Sequence, residues 1–202
     1  MYNLNFFIYK ILRVISIFFE VLKGVDFKRN IRKSKSKVLQ KYYNYEHTIE
    51  EDLVNVLNDL KISKNDKILD IGCGKGYALY LMHQFNFKNI DGIELSKKLS
   101  DIAKKNFIII KKKTNIYNIN ATKFKYYENY NFFYMFNPFN RSIMEIVLNK
   151  IIKKINKKKI YIIYNNPTCH LILNKNFFLI KKYNDKWNNG IYLYSNKLTE
   201  KN

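Results

Sequence analysis

Residues 68–76 read Ile-Leu-Asp-Ile-Gly-Cys-Gly-Lys-Gly and form the most informative part of the sequence. The apolar residues predict a short buried strand, and the glycines predict a tight turn that a ligand can approach closely, because glycine has no Cβ. The spacing Gly-x-Gly-x-Gly differs from that of dinucleotide sites, and no Ser or Thr follows the lysine as in a phosphate-binding loop. Asp70, just before the first glycine, is unfavourable beside a pyrophosphate and favours a cationic ligand.

Strands and helices alternate on both sides of this turn. Residues 50–60 carry apolar side chains on one helical face, and residues 77–85 repeat a helical pattern after the glycines. Ser96 predicts the N-cap of a helix that continues to Asn106. This alternation predicts a mostly parallel sheet with helices on both faces. A further helix is predicted at 142–155, and strands are predicted at 67–71, 89–94, 115–119, 131–136, 159–164, 177–183 and 190–194.

A second acidic residue, Glu94, ends the second predicted strand. In nucleotide-binding doubly wound folds, a carboxylate at this place accepts hydrogen bonds from ribose hydroxyls. Together, residues 70–76 and 92–94 resemble the first two motifs of class I S-adenosylmethionine-dependent methyltransferases. The resemblance implies a Rossmann-like, doubly wound α/β fold and S-adenosylmethionine as cofactor. It also implies that the turn wraps the methionine part, that the first acid helps to hold its ammonium group, and that the second binds the ribose. The cofactor-binding residues so implied are Asp70, Gly72, Gly74, Gly76 and Glu94.

Asn120-Ala121 follows the third predicted strand. The family usually has Asp-Ala here, with the acid contacting the adenine amine. Asn120 can make that contact with its carbonyl oxygen, so the resemblance implies an altered adenine site. The alternative is a polar turn residue without a ligand.

Asn137-Pro138-Phe139 follows the fourth predicted strand, where the acceptor and the methyl group should meet. It resembles the Asp/Asn-Pro-Pro-aromatic element of amino-group methyltransferases, although the second proline is missing. The resemblance implies that Asn137 orients the acceptor and that Pro138 and Phe139 form the substrate rim.

A third resemblance lies before the first predicted helix, in residues 42–48. This stretch is similar to the Tyr-Glu-Pro-Ser/Thr element of a little-characterised bacterial group of these enzymes, and a related arrangement occurs in the non-SET histone-lysine methyltransferases. His47 stands in place of the proline. The resemblance implies that Tyr45 lines the substrate mouth as a catalytic residue and that Glu46 either closes over the cofactor or contacts the substrate. The alternative is a surface turn capped at Thr48.

The first forty residues differ in character from the rest. Residues 4–22 have apolar side chains at helical spacing, interrupted by Lys10, Arg13 and Glu20. Three interpretations remain open: a helix lying in a membrane interface, a helix packed on its own domain or on a dimer partner, and a membrane span that these charges make costly. We expect residues 1–41 to form an amphipathic helix with a basic linker, and residues 42–202 to form the methyltransferase domain.

The net charge of +21 raises the question of a polyanionic partner. Only four of the 37 basic residues are arginine, the side chain that best recognises phosphates and base edges, so a nucleic acid is the less favoured partner. Most of the basic excess is spread through the chain and is attributed to compositional drift. Eight of the 37 basic residues lie in residues 23–41 with a single acid, beside the apolar helix, which favours an anionic membrane surface contacted through residues 4–41. The expected location is cytoplasmic, with peripheral attachment to the inner face of the membrane.

The sequence therefore predicts an enzyme that transfers a methyl group from S-adenosylmethionine to an N or O acceptor. The acceptor can be a small molecule, a glycan or a protein. No metal site is expected, and two cysteines exclude a disulfide framework. The competing interpretation is a non-catalytic protein that keeps the fold to bind a membrane or another protein.

Overall fold

The computed structural model describes residues 14–28, 50–154, 158–183 and 190–197. Residues 14–22 are helical and are called α1. The other helices and strands are α2 (Glu50–Asn58), β1 (Lys67–Ile71), α3 (Tyr77–Met82), β2 (Asn89–Glu94), α4 (Lys97–Ile109), β3 (Ile116–Asn118), β4 (Phe132–Phe136), α5 (Arg141–Lys154), β5 (Tyr161–Asn165), α6 (His170–Leu173), β6 (Phe178–Tyr183) and β7 (Ile191–Ser195). Short 3₁₀ turns lie at Ala121–Lys123 and Tyr127–Asn129.

The strands within the described residues form one seven-stranded sheet in the order β3-β2-β1-β4-β5-β7-β6. The first five strands are parallel, and β7 runs antiparallel to both β5 and β6. The chain passes outward from β1 to β3 and then crosses to β4 on the other side of β1. The strand order therefore reverses between β1 and β4, where doubly wound sheets bind their ligands at the carboxyl ends of the strands. The fold confirms the predicted Rossmann-like α/β architecture.

Helices cover both faces of the sheet. Side chains from α2, α3 and α4 pack on one face, and those from α5, α6 and the two 3₁₀ turns pack on the other. Strand β1 is buried on both faces because the sheet is covered on both sides, which explains its continuous apolar sequence. Ser96 caps α4 as predicted, its hydroxyl accepting the N–H of Leu99.

Helix α1 and the residues after it fold together. The Glu20 carboxylate is buried and accepts the backbone N–H groups of Phe27 and Lys28 at 3.0 and 2.9 Å. Val25 and Phe27 are buried in the core on the α3 and α4 side. Among the described residues, no helix is both long and apolar enough to cross a membrane. The predicted boundary at residue 41 lies outside the described residues.

Candidate functional site

The glycine turn between β1 and α3 requires left-handed backbone. Gly72, Gly74 and Gly76 have φ angles of 90°, 55° and 87°, a region that side chains with a Cβ rarely adopt. A Cβ on Gly76 would also lie 2.7 Å from Cε2 of Phe107, inside any normal contact. The turn is tied to the neighbouring strand because the Gly72 N–H donates to the carbonyl of Ile93 at 2.8 Å. The left-handed backbone of the turn is therefore fixed at the carboxyl ends of β1 and β2.

Glu94 at the end of β2 faces this turn. Its Oε2 accepts the N–H of Gly74 at 2.9 Å, and its Oε1 accepts the N–H of Ser96 at 2.7 Å. Burial raises the pKa of Glu94, and the hydrogen bonds from Ser96 and Gly74 oppose that rise. Each carboxylate oxygen has a second lone pair, so Glu94 can bind a ligand hydroxyl while it holds the turn.

Asp70 is the most unusual group of the turn. It is only 2% exposed, and no side chain or backbone donor among the described residues hydrogen-bonds its carboxylate. Burial raises the pKa of Asp70 well above its usual range, and the negative charge of Glu94 raises it further. A buried carboxylate without a partner is costly, whereas a cationic ligand would compensate it. The two acids together fit a ligand that carries both a cation and hydroxyl groups.

The predicted adenine contact, Asn120, has its carbonyl oxygen engaged. Asn120 lies just beyond β3, whose Asn118 pairs in register with Glu94 of β2. Its Oδ1 accepts both the N–H and the hydroxyl of Thr122, each at 2.9 Å, and so caps the 3₁₀ turn that begins at Ala121. The two lone pairs of Oδ1 are thus occupied, which leaves the amide nitrogen of Asn120 to meet a ligand.

The Asn-Pro-Phe turn after β4 lies directly against the glycine turn. A Cβ added at Gly72 would lie 3.0 Å from the Cβ of Pro138. Asn137 is buried, has a φ of 36°, and donates its N–H to the carbonyl of Asn165 at 3.0 Å. Its Oδ1 accepts the hydroxyl proton of Thr168 at 2.6 Å. Phe139 packs beside them against the core on the face of the sheet that α5 and α6 cover.

Sequence reasoning missed Thr168, which lies three residues beyond the end of β5 and is marked by no motif. Asn165 ends β5, next to β4 in the sheet, and belongs to the stretch Asn165-Asn166-Pro167, whose sequence predicts either a further rim loop or a strand-ending turn. The Asn165 side chain donates to the Tyr134 hydroxyl at 3.2 Å, while its Oδ1 is buried without a partner among the described residues. Tyr45 and Glu46 lie outside the described residues.

Comparisons with solved structures agree with this geometry. An S-adenosylmethionine-dependent O-methyltransferase from Thermotoga maritima superposes with a TM-score of 0.62 at 11% identity, covering 79% of this chain and 69% of its own. A protein from Pyrococcus horikoshii OT3 superposes with a TM-score of 0.61 at 13% identity, and the match covers 73% of this chain and 89% of that protein. A magnesium protoporphyrin IX methyltransferase from Synechocystis, solved with bound S-adenosylmethionine, superposes with a TM-score of 0.55 at 10% identity, and the match covers 73% of this chain and 79% of that enzyme. At these identities the likeness shows the fold.

The family comparison goes further. No curated protein matches the chain significantly. The model of the family described as histone methylation protein DOT1 matches residues 28–178, which include the glycine turn, Glu94 and the Asn-Pro-Phe turn. The buried Asp70, which accepts no hydrogen bond from the described residues, fits the ammonium group of S-adenosylmethionine, the family's cofactor, and Glu94 fits its ribose. The chain therefore belongs to the DOT1 family of S-adenosylmethionine-dependent methyltransferases.

Proposed function

We propose that this protein transfers the methyl group of S-adenosylmethionine to a nitrogen or oxygen acceptor at the carboxyl ends of β1 and β4. The observation that carries the proposal is the contact between Gly72 and Pro138, where an added Cβ would be only 3.0 Å from the proline ring. This contact supports a shared site, because a cofactor on the glycine turn and an acceptor on the Asn-Pro-Phe turn would be neighbours.

The chain's own residues bind and orient the reactants. When bound, the cofactor supplies a methyl group on a positively charged sulfur that is a good leaving group. Asp70 would hold the ammonium group and Glu94 the ribose. Asn137 would orient the acceptor with its amide nitrogen and the remaining lone pair of Oδ1, since the Thr168 hydroxyl already occupies the other. Catalysis of this kind depends mainly on positioning.

The acceptor class is a separate question. The family description names histones, so a lysine-rich protein is the first class to test, followed by small amines, alcohols and glycans. Tyr45 remains the predicted lining of the acceptor mouth, and Glu46 remains a predicted cofactor contact.

Transfer of tritiated methyl groups tests the proposal. Asn137→Gly removes the side chain without backbone strain, because glycine accepts a φ of 36°. We expect turnover to fall roughly 100-fold, with the S-adenosylmethionine dissociation constant unchanged within about twofold. Thr168→Val should give a smaller loss of the same kind. Asn140→Asp is the matched control, because Asp keeps an oxygen that can accept the Ile143 N–H at the start of α5 and the Ser142 hydroxyl, as the Oδ1 of Asn140 does.

Two results would count against this reaction. Wild-type protein that binds S-adenosylmethionine but methylates none of these acceptor classes would favour the non-catalytic interpretation. Full turnover by Asn137→Gly would remove Asn137 from the catalytic residues and leave the methyl transfer itself intact.

We further propose that α1 attaches the protein peripherally to an anionic membrane. Six apolar side chains of this helix are exposed: Val14, Ile15, Phe18, Phe19, Val21 and Leu22. Phe18 and Phe19 are 58% and 55% exposed, which is unusual for side chains of their size. The cationic residues of the 23–41 segment follow at once in the sequence. A wide apolar face next to cationic residues supports binding in the membrane interface.

Flotation with vesicles tests this second proposal. We expect Phe18→Glu with Phe19→Glu to abolish binding to phosphatidylglycerol vesicles while the thermal midpoint stays within a few degrees. The control is Ile108→Glu, which changes an apolar residue of α4 that is 76% exposed. Equal flotation of the α1 double variant and the wild type would contradict the proposal.

A further inference from the structure

A cavity lies at the β3 edge of the sheet. It is lined by residues 117–119, at the end of β3, and by residues 123–126, which follow the first 3₁₀ turn. Its volume of about 310 Å³ is at the lower end of the range found for small-molecule sites. Asp70, Glu94 and Asn120 do not line it, so the cavity lies beside the candidate cofactor site rather than within it.

Aromatic rings form much of the cavity wall. Phe124 is buried, and its ring packs against those of Tyr117 and Tyr126 with centroid distances of 5.2 and 5.7 Å. Tyr126 meets Phe124 edge to face, and it is 55% exposed. A large aromatic side chain that is exposed on a buried aromatic neighbour is typical of a binding surface. The cavity therefore offers an aromatic ring on which a planar ligand can stack.

Two lysines give the cavity a positive charge. Lys123 and Lys125 are both exposed and both line it. All the lining residues are described, and none of them is acidic. A concave surface with charges of one sign attracts ligands of the opposite sign. The cavity therefore favours a ligand that carries an anionic group as well as a planar ring.

Hydrogen bonds to the neighbouring structure hold the cavity wall in place. The Asn118 amide group donates to the carbonyls of Glu94 and Leu95 at 2.9 and 3.0 Å, which ties the end of β3 to the end of β2. The Lys123 N–H donates to the carbonyl of Asn120 at 2.8 Å. Because the wall is formed before a ligand arrives, binding loses little entropy in ordering it.

We propose that this cavity binds a nucleoside monophosphate, with the base stacked on Tyr126 and the phosphate held by Lys123 and Lys125. Stacking on aromatic side chains and attraction of phosphate by cations are the two contributions that proteins use to bind nucleotides without base-specific hydrogen bonds. The volume suits one small ligand. The inference goes beyond the proposed methyl transfer, because this site contains none of the residues assigned to that reaction.

Titration calorimetry of the full-length chain with GMP and with UMP provides the test, with and without saturating S-adenosylmethionine. We expect both nucleotides to bind under both conditions, and guanosine and inorganic phosphate to bind at least roughly tenfold more weakly than GMP. Lys123→Gln with Lys125→Gln should weaken GMP binding roughly tenfold and reduce its salt dependence. Tyr126→Ala should weaken it roughly 5- to 100-fold. The matched control is Lys104→Gln with Lys105→Gln, which removes the same charge from exposed positions of α4.

Four results would overturn the proposal. One is the failure of both nucleotides to bind at about 1 mM. Another is the loss of GMP binding on addition of S-adenosylmethionine, which would place the nucleotide in the cofactor site. A third is an equal loss in the α4 control, which would make the attraction a general effect of charge. The fourth is wild-type affinity in the double lysine variant, a measurement that stands even if Tyr126→Ala fails to fold.

Discussion

Replacing Glu94 by glutamine tests whether one side chain both binds the cofactor and shapes its turn. In the wild type, the two carboxylate oxygens accept the N–H groups of Gly74 and Ser96 at 2.9 and 2.7 Å. Glutamine keeps one oxygen, so its NH₂ group must face one of these N–H donors. A buried donor left without an acceptor costs about 1–3 kcal/mol. For a chain of this length, that loss lowers the thermal midpoint by roughly 2–12 °C.

The effect on the cofactor adds to this loss. A ribose hydroxyl donating to an ionised carboxylate contributes about 1.5–3 kcal/mol, and a neutral amide retains part of it. We therefore expect Glu94→Gln to raise the S-adenosylmethionine dissociation constant roughly 10- to 100-fold, measured by calorimetry at pH 7.5. Glu145→Gln is the control, because Glu145 pairs with Arg141 on the surface of α5 and should change the midpoint by less than about 1 °C. An affinity for S-adenosylmethionine within threefold of wild type would refute the assignment of Glu94 to the ribose.

Three other measurements follow from the same site. Since burial raises the pKa of Asp70 and a bound ammonium favours its ionised form, S-adenosylmethionine binding should release a proton and strengthen as pH rises from about 4 through that raised pKa. Calorimetry in buffers of different ionisation enthalpy counts that proton, and Asp70→Asn should abolish its release. Asn120→Asp keeps the bonds to Thr122 and presents a second oxygen to the adenine amine, so we expect about three- to tenfold tighter binding; weaker binding would place the adenine elsewhere. Gly92 lies inside β2, and Gly92→Ala would put a Cβ 2.7 Å from Sγ of Cys73. Scanning calorimetry should show that the free energy of unfolding falls by about 1–3 kcal/mol, and an unchanged thermal midpoint would contradict this packing.

The fold was predictable because apolar runs and glycines form clear local patterns in the sequence. Continuous apolar runs predict buried parallel strands, and the three closely spaced glycines predict a turn with left-handed backbone, as the structure shows. The observed bounds of β1 and β2 match the predicted ones, and the later strands differ from them by one or two residues. Such small shifts are expected because hydrogen bonding to neighbouring strands, rather than local sequence, sets where a strand ends.

The site was predictable only where a motif is continuous. The contact between Thr168 and Asn137 joins residues 31 positions apart, and a hydroxyl on a turn has no pattern that reveals its partner. Asp26 is harder still, because it is the single acid of a strongly basic segment and looks like a chance exception. Its ion pair with Lys75 was not predictable, because the sequence places Lys75 in a turn and does not reveal that its side chain is buried.

The N-terminal segment joins the two proposed activities physically. Residues 14–22 expose several apolar side chains, whereas Asp26, four residues after the end of α1, contacts Lys75 of the glycine turn. Glu20 fixes the spacing between them by accepting the N–H groups of Phe27 and Lys28. A truncation that removes residues through 28 would therefore disturb the cofactor site as well as α1, and could not test membrane binding alone. Substitutions on the exposed face of α1 separate the two, because they leave the Glu20 bonds and the Asp26 pair unchanged.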